Sequence, residues 1–239
     1  MNLNESVKQK LIRHHRENIA LFNLAGEYEL IEVAEENDMV MCRFLSDEAW
    51  CHFSHNSSAD FIGKTLEASR QDAYLVLTDV DVFAWLKSQY RLAWHISCIR
   101  LFLQSSAIVS SQPFVEALTP GDLRQVYENS DYQQFLSMDY LKQRLMLGGG
   151  FCVRVSKQPV AWVMTHDDGS VGMLHVLEAY RGKGYARALV MAMASEIRTK
   201  GKEVFAHIVH SNIPSLRLFA SLGFAPCCEV SWALTANYS

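Results

Sequence analysis

No stretch of this chain reaches the roughly 18 consecutive apolar residues that a membrane-spanning helix needs. The opening MNLNESVKQKLIRHHRENIALF lacks the apolar segment and the small-residue cleavage site of a secretory leader, and Glu5 and Glu17 count against a mitochondrial presequence. Basic residues are not in excess: 22 Lys and Arg stand against 26 Asp and Glu, a formal net charge of -4. That balance gives no nucleic-acid footprint, and no block of like charge marks an interaction tail. Cysteine is sparse and unpatterned. Cys42, Cys51, Cys98, Cys152, Cys227 and Cys228 form no CxxC pair and show no zinc-ligand spacing. These absences predict a cytosolic protein with reduced thiols, no bound metal, and neither nucleic acid nor a membrane as partner. No internal repeat is visible in the sequence and no segment is of low complexity.

What is present suits a globular fold. The chain has 239 residues, 49% of them apolar, enough for two modest domains or one large one. Helical spacing runs over residues 4–24, with Val7, Leu11, Ile19 and Phe22 facing inward. Tyr28–Val33 and Met39–Leu45 read as strands around a polar turn at Glu35–Asp38. Tyr74–Leu77 reads as a strand, Val80–Tyr90 as a helix and Trp94–Leu103 as a buried strand. The Ser-rich stretch Gln104–Gln112 predicts a boundary between an α/β half, residues 1–110, and a second domain, residues 111–239.

The second half is patterned more sharply. Phe114–Leu118 reads as a strand, and Thr119-Pro120-Gly121-Asp122 has the chemistry of a helix start. A helix at Met138–Leu147 stops at Gly148-Gly149-Gly150. A hairpin, Phe151–Ser156 and Val160–Thr165, is followed by the turn Asp167-Asp168-Gly169 and a strand, Val171–Val176. A helix at about Gly184–Lys200, a strand at Val204–Val209, a short helix at Ile213–Leu222 and a last strand at Ser231–Ala236 complete the reading.

One segment carries chemistry. After strand Val171–Val176 comes Arg181-Gly182-Lys183-Gly184-Tyr185-Ala186, and a helix starts at once. The first N–H groups of a helix have no partner within it, and the helix dipole places partial positive charge there. A pyrophosphate can accept several of those bonds together. Gly182 and Gly184 let the backbone approach an anion closely, and Arg181 and Lys183 add charge at the rim. The G-x-G-x-x-G of a dinucleotide site and the G-x-x-x-x-G-K-[ST] of a P-loop are both absent.

Arg181-x-x-Gly184-x-Ala186 after an apolar strand resembles the Q/R-x-x-G-x-G/A motif of the GNAT superfamily of N-acetyltransferases. Asn212-x-x-Ser215-x-x-x-Phe219-x-x-x-Gly223-Phe224 is similar to that superfamily's last signature block. The likeness covers about residues 113–239. Ala161-Trp162, the Asp-Gly turn, His207 and Ser211-Asn212 look similar to the glycine N-acyltransferase-like branch, which carries a degenerate transferase-like N-terminal half. The resemblance implies the GNAT fold: an α/β (α+β) protein with a mixed, mostly antiparallel sheet flanked by helices, its first half a degenerate GNAT-like repeat.

It also implies a cofactor and a reaction. Acetyl-CoA or another acyl-CoA is the co-substrate, and a small-molecule amine or amino acid is the acceptor. The pantetheine arm would pair with the backbone of strand Val171–Val176 at Leu174 and Val176, with His175 between them. The amides of Arg181, Gly182, Lys183, Gly184, Tyr185 and Ala186 would hold the pyrophosphate, Tyr185 covering part of the cofactor. Asn212, Ser215 and Phe219 would flank the pantetheine and the thioester. Two positions depart from the family pattern. Phe219 stands where many members have a tyrosine acid, and Ser170 where a glutamate often serves as base. His207 is the substitute base, with a structural strand histidine as the competing reading. The departures leave two other functions open: a catalytically weak acyl-CoA-binding module, and an acetyltransferase acting on protein N-termini or lysines.

Overall fold

The structure is a computed structural model, and it describes residues 3–69, 73–106, 114–130, 132–133 and 136–236. In chain order the first half runs α1 (Glu5–Leu11), α2 (Ile19–Glu27), β1 (Glu29–Glu36), β2 (Met39–Leu45), β3 (Ala49–Phe53), α3 (Ala59–Ser69), β4 (Tyr74–Leu77), α4 (Val80–Gln89) and β5 (Leu92–Leu103). The second runs β6 (Val115–Ala117), α5 (Leu123–Glu128), α6 (Met138–Gly148), β7 (Gly150–Val155), β8 (Gln158–Thr165), β9 (Val171–Val176), α7 (Tyr185–Thr199), β10 (Phe205–Val209), α8 (Ile213–Ser221) and β11 (Phe224–Thr235). After β6, the second half repeats the element order of the first: two helices, three strands, helix, strand, helix, strand. The expected repeat is therefore one of topology, in a sequence that shows none.

Compact packing divides the chain into two units, residues 1–100 with 208–212 and 226–239, and residues 101–207 with 213–225. The Ser-rich stretch Gln104–Gln112 lies mostly outside the described residues. In the first unit β1–β2–β3 is an antiparallel meander, β3 pairs parallel with β4, and β4 pairs antiparallel with β11. The alternation of β2 explains its unbroken apolar run. Val40, Cys42 and Phe44 pack under α1 and α2 with Val7, Leu11, Leu21 and Leu24. Met41 faces the other way, into a core with Phe61 and Ile62 of α3 and Phe83 and Leu86 of α4. Sequence periodicity did not reveal β3 or α3. It also placed the start of β11 at Ser231, whereas the strand begins at Phe224. Pro226 and the polar Cys227-Cys228-Glu229 interrupt the alternation that marks a strand.

In the second unit β6, β7, β8 and β9 form an antiparallel meander, and β10 pairs parallel with β9. Leu123 and Val126 of α5 and Leu141 of α6 cover one face over Cys152, Trp162 and Met164. Helix α7 packs on β7, β8 and β9, burying Ala188, Leu189, Val190, Met193, Ala194 and Ile197. Thr119 and Asp122 close a capping box ahead of α5. Arg154 clamps Asp122 through both carboxylate oxygens at 2.8 and 2.7 Å, and this pairing holds the carboxyl at about 2.

Candidate functional site

Strand β9 is buried at Val171 and half-buried along the rest of its length, and one of its edges is open. Its parallel pairing with β10 is confined to Ala206↔Val171. On the β8 side, the register shifts by one residue between Trp162 and Met164, so Met173 and Leu174 oppose Val163 as a bulge. Met173 takes a left-handed φ of 49°, a conformation that costs a side-chain-bearing residue roughly 1–3 kcal/mol. The Leu177 N–H donates to the Val160 carbonyl at 2.9 Å. Alternation therefore turns the N–H and C=O of Val176 away from β8, toward the open edge. The bulge carries no signal in the sequence, where Met173 reads as an ordinary strand residue.

A single turn of 3₁₀ helix, Glu178–Tyr180, leads from β9 to α7. Arg181 folds back so that its Nε donates to the Val176 carbonyl at 3.1 Å. The acceptor expected to meet pantetheine is thus held by the chain's own side chain. Gly182 and Gly184 both have left-handed backbone, φ 76° and 80°. Nothing lies within 4 Å of where a Cβ would stand on either. Gly184 is the N-cap of α7 and supplies no side-chain cap. The first intrahelical bond runs from the Ala188 N–H to the Gly184 carbonyl at 3.1 Å, so the amides of Tyr185, Ala186 and Arg187 precede the helix ladder. Arg181, Lys183 and Arg187 are exposed around this end. The Lys183 Nζ stands 4.9 Å over the Tyr180 ring, and Tyr185 packs against Phe114 with ring centroids 5.9 Å apart.

The remaining expected residues fall in different settings. His175 stacks on buried Trp162 at 5.0 Å with the planes 16° apart, so its imidazole lies on the face that α5 and α6 cover. Phe219 is buried, edge-on to Phe224 at 4.8 Å. Ser215 is half-buried on α8. Asn212 lies exposed in the turn before α8, its N–H donating to the Val209 carbonyl at 2.9 Å.

His207 proves to have a partner that sequence reasoning took for a turn residue. Its Nε2 lies 2.8 Å from Oδ2 of Asp168, and both side chains are buried. The Ser170 N–H donates to the other Asp168 oxygen at 2.9 Å. Burial alone would raise the Asp168 carboxyl. The charge and hydrogen bond of His207, with His166 and Ser170, outweigh it and hold the carboxyl well below the usual carboxylate range. Ser170 is fully buried beside this carboxylate. Helix α6 braces this corner. Arg144 donates to the Thr165 carbonyl and hydroxyl at 3.3 and 2.9 Å, and the Asp167 N–H donates to the Tyr140 hydroxyl at 3.3 Å. Cys152 is a buried residue of β7, and burial pushes its thiol up to about 11, which disfavours the thiolate at neutral pH.

The meander, the open-edged parallel pair and the uncapped helix after the bulged strand define the GNAT fold. Comparison with known proteins agrees: the model of the FR47-like protein family matches residues 149–233, spanning β7 to β11. A Drosophila protein solved as a structural genomics target is 17% identical, covers 100% of this chain and 99% of its own, and superposes with a TM-score of 0.80. A protein from Novosphingobium aromaticivorans described as a GNAT-family acetyltransferase is 14% identical over 94% of this chain and 97% of its own, with a TM-score of 0.65. A GCN5-related N-acetyltransferase from Kribbella flavida is 13% identical over 99% of this chain and 97% of its own, with a TM-score of 0.58. At these identities the structures speak for the fold. Among the described residues, no helix is long and apolar enough to cross a membrane.

Proposed function

We propose that the chain is an acyl-CoA-dependent N-acyltransferase, with acetyl-CoA as the simplest donor and the primary amine of a small molecule or amino acid as acceptor. The observation that carries this reading is the uncapped N-terminus of α7, approached through two left-handed glycines and lying next to a strand with an open edge. The amides of residues 181–186 hold the diphosphate. The open edge of β9 at Leu174 and Val176 receives the amide groups of the pantetheine arm, and Arg181 releases the Val176 carbonyl as the arm enters. The amine attacks the thioester carbonyl; a C–N bond forms, the C–S bond breaks and CoA leaves as the thiolate. A main-chain N–H released from the ladder by the β9 bulge stabilises the oxyanion.

His207, oriented by the buried Asp168, takes up the proton that the amine loses. Asp168 stabilises the imidazolium as it forms. Of the two domains we propose, residues 1–110 and 111–239, the second carries the reaction. We also assign the chain to the glycine N-acyltransferase-like branch, on the likeness of Ala161-Trp162, the Asp-Gly turn, His207 and Ser211-Asn212, with the cytosol as its setting.

The test is thiol release from acetyl-CoA over a panel of amines and amino acids, beside calorimetric titration with CoA. Turnover with at least one acceptor, together with CoA uptake, is expected. Uptake without turnover would instead favour a binding module, consistent with the buried Phe219 and Ser170 at the two usual acid–base positions. Absence of uptake would refute both readings.

A further inference from the structure

The first unit repeats the topology of the second, but its corresponding corner is built differently. Parallel strands β3 and β4 are zipped over three successive pairs, Trp50↔Tyr74, Cys51↔Leu75 and His52↔Val76. The N-terminus of α3 is closed by a side chain, with the Phe61 N–H donating to Ser58 Oγ at 3.2 Å. The connection between β3 and α3 is the short polar loop Ser54-His55-Asn56-Ser57-Ser58. The corner that stands open in the second unit is therefore shut here, and a histidine stands in its loop.

His55 meets two residues of the segment between α1 and α2. Among the described residues, His14, Glu17 and His55 are the group of metal-ligating side chains whose donor atoms all lie within 4.8 Å of one another. All three are half-buried. The segments that carry them are fixed by other bonds. Buried Asn18 donates to the Leu11 carbonyl at 3.0 Å and accepts from the His55 N–H at 2.7 Å. Buried Arg100 donates to the carbonyls of Arg16 and Glu17 at 3.0 and 2.6 Å. The Nδ1 of His55 lies 3.2 Å from the Thr78 hydroxyl. With Nδ1–H donating there, Nε2 keeps its lone pair, the arrangement that orients a metal-bound imidazole. Asn56 donates to Nε2 of His14 at 2.7 Å, so that nitrogen also presents a lone pair, and a cation would displace the amide.

From this geometry we infer that His14, Glu17 and His55 form a site for a divalent transition-metal ion of the zinc class. Two imidazoles and a carboxylate suit zinc and its neighbours rather than calcium or magnesium. Metal–ligand bonds of about 2.0–2.2 Å require the three donors to draw in by roughly 1 Å from the observed spacing. Three protein ligands leave a fourth position for water. The donors come from two segments with a helix and three strands between them, which is why no ligand spacing shows in the sequence. The inference is independent of the chemistry of the second unit.

The test uses the full chain, freed of metal by a chelator and titrated calorimetrically with zinc chloride, with cobalt(II) as a spectroscopic probe. One Zn²⁺ per chain is expected, with the visible d–d band of a four-coordinate ion when Co²⁺ replaces it. Glu17→Gln and His55→Gln should each weaken binding at least tenfold. Thr78→Val touches no ligand atom and should weaken it about 10- to 100-fold by releasing the His55 ring. Cys227 and Cys228, both free thiols, are the competing soft donors. Their double replacement by serine should leave binding unchanged. Circular dichroism on each variant separates lost ligation from lost fold. The site is overturned if the wild-type chain takes up no stoichiometric Zn²⁺. It is equally overturned if folded His14→Gln/His55→Gln binds like wild type, or if the cysteine replacements alone abolish binding.

Discussion

Alanine at Gly184 and alanine at Gly201 make a matched pair that separates strain from recognition. The two glycines sit at opposite ends of α7, have φ of 80° and 70°, and have nothing within 4 Å of where a Cβ would stand. Each substitution therefore adds the left-handed penalty of roughly 1–2 kcal/mol and no clash. In a chain of this size that should lower Tm by about 2–8 °C in both variants. Only Gly184 borders the amides that we propose grip the diphosphate. Displacing a single charge-assisted hydrogen bond there costs about 1.5–3 kcal/mol, a rise in Kd of roughly 10- to 150-fold. Differential scanning calorimetry and titration with CoA read the two effects separately. Equal loss of CoA affinity in both variants, or wild-type affinity in Gly184→Ala, would refute the assignment of the diphosphate to this helix end.

Three further outcomes follow from the geometry. His207→Ala should cut turnover by about 10²-fold with CoA affinity retained, and Asp168→Asn should alter the pH–rate profile; a much smaller fall for His207→Ala would make the pair a structural strut. The Asp122 carboxyl is held at about 2 against an ordinary 3.8, chiefly by the Arg154 hydrogen bonds, so its contribution of roughly 2 kcal/mol is full above about pH 4 and is lost as the pH falls through about 2. Urea denaturation of Asp122→Asn should show that deficit at pH 7, and a gap that did not close in acid would contradict it. Burial pushes Cys42 and Cys152 up to about 12 and 11, so neither should react with iodoacetamide in the native protein at pH 8, and Cys152→Ala should retain turnover.

The second unit was largely legible because its elements are bounded by strong local chemistry. Thr119-Pro120, the glycine run after α6, the Asp-Gly turn and the glycines before α7 each mark an element end. Element β9 was delimited correctly, residue for residue. The first unit was less legible because packing overrides pattern there: β3 is buried on both faces and short, and α3 starts at a serine within a polar loop. Within the candidate site, the uncapped start of α7 was readable because its approach depends on glycine. The β9 bulge was not, because a left-handed methionine has no compositional mark. The Asp168–His207 pair escaped notice because it joins residues that only the parallel pairing of β9 and β10 brings together. The sequence left the His175 ring free to face either the cofactor side or the opposite layer, and its place beside Trp162 in the pleat sets it on the latter.

Residues 231–234 of the last strand lie against β4, from Ser231↔Leu77 to Leu234↔Tyr74. During synthesis, the amino-terminal unit must therefore wait, with one flank of its sheet unprotected, until residues 231–234 have left the ribosome. Chains stalled or clipped before residue 231 would present β4 as a ready template for intermolecular pairing. Long-range closure of this kind also slows folding, which would make nascent copies of this protein dependent on holdase chaperones for longer than their size suggests.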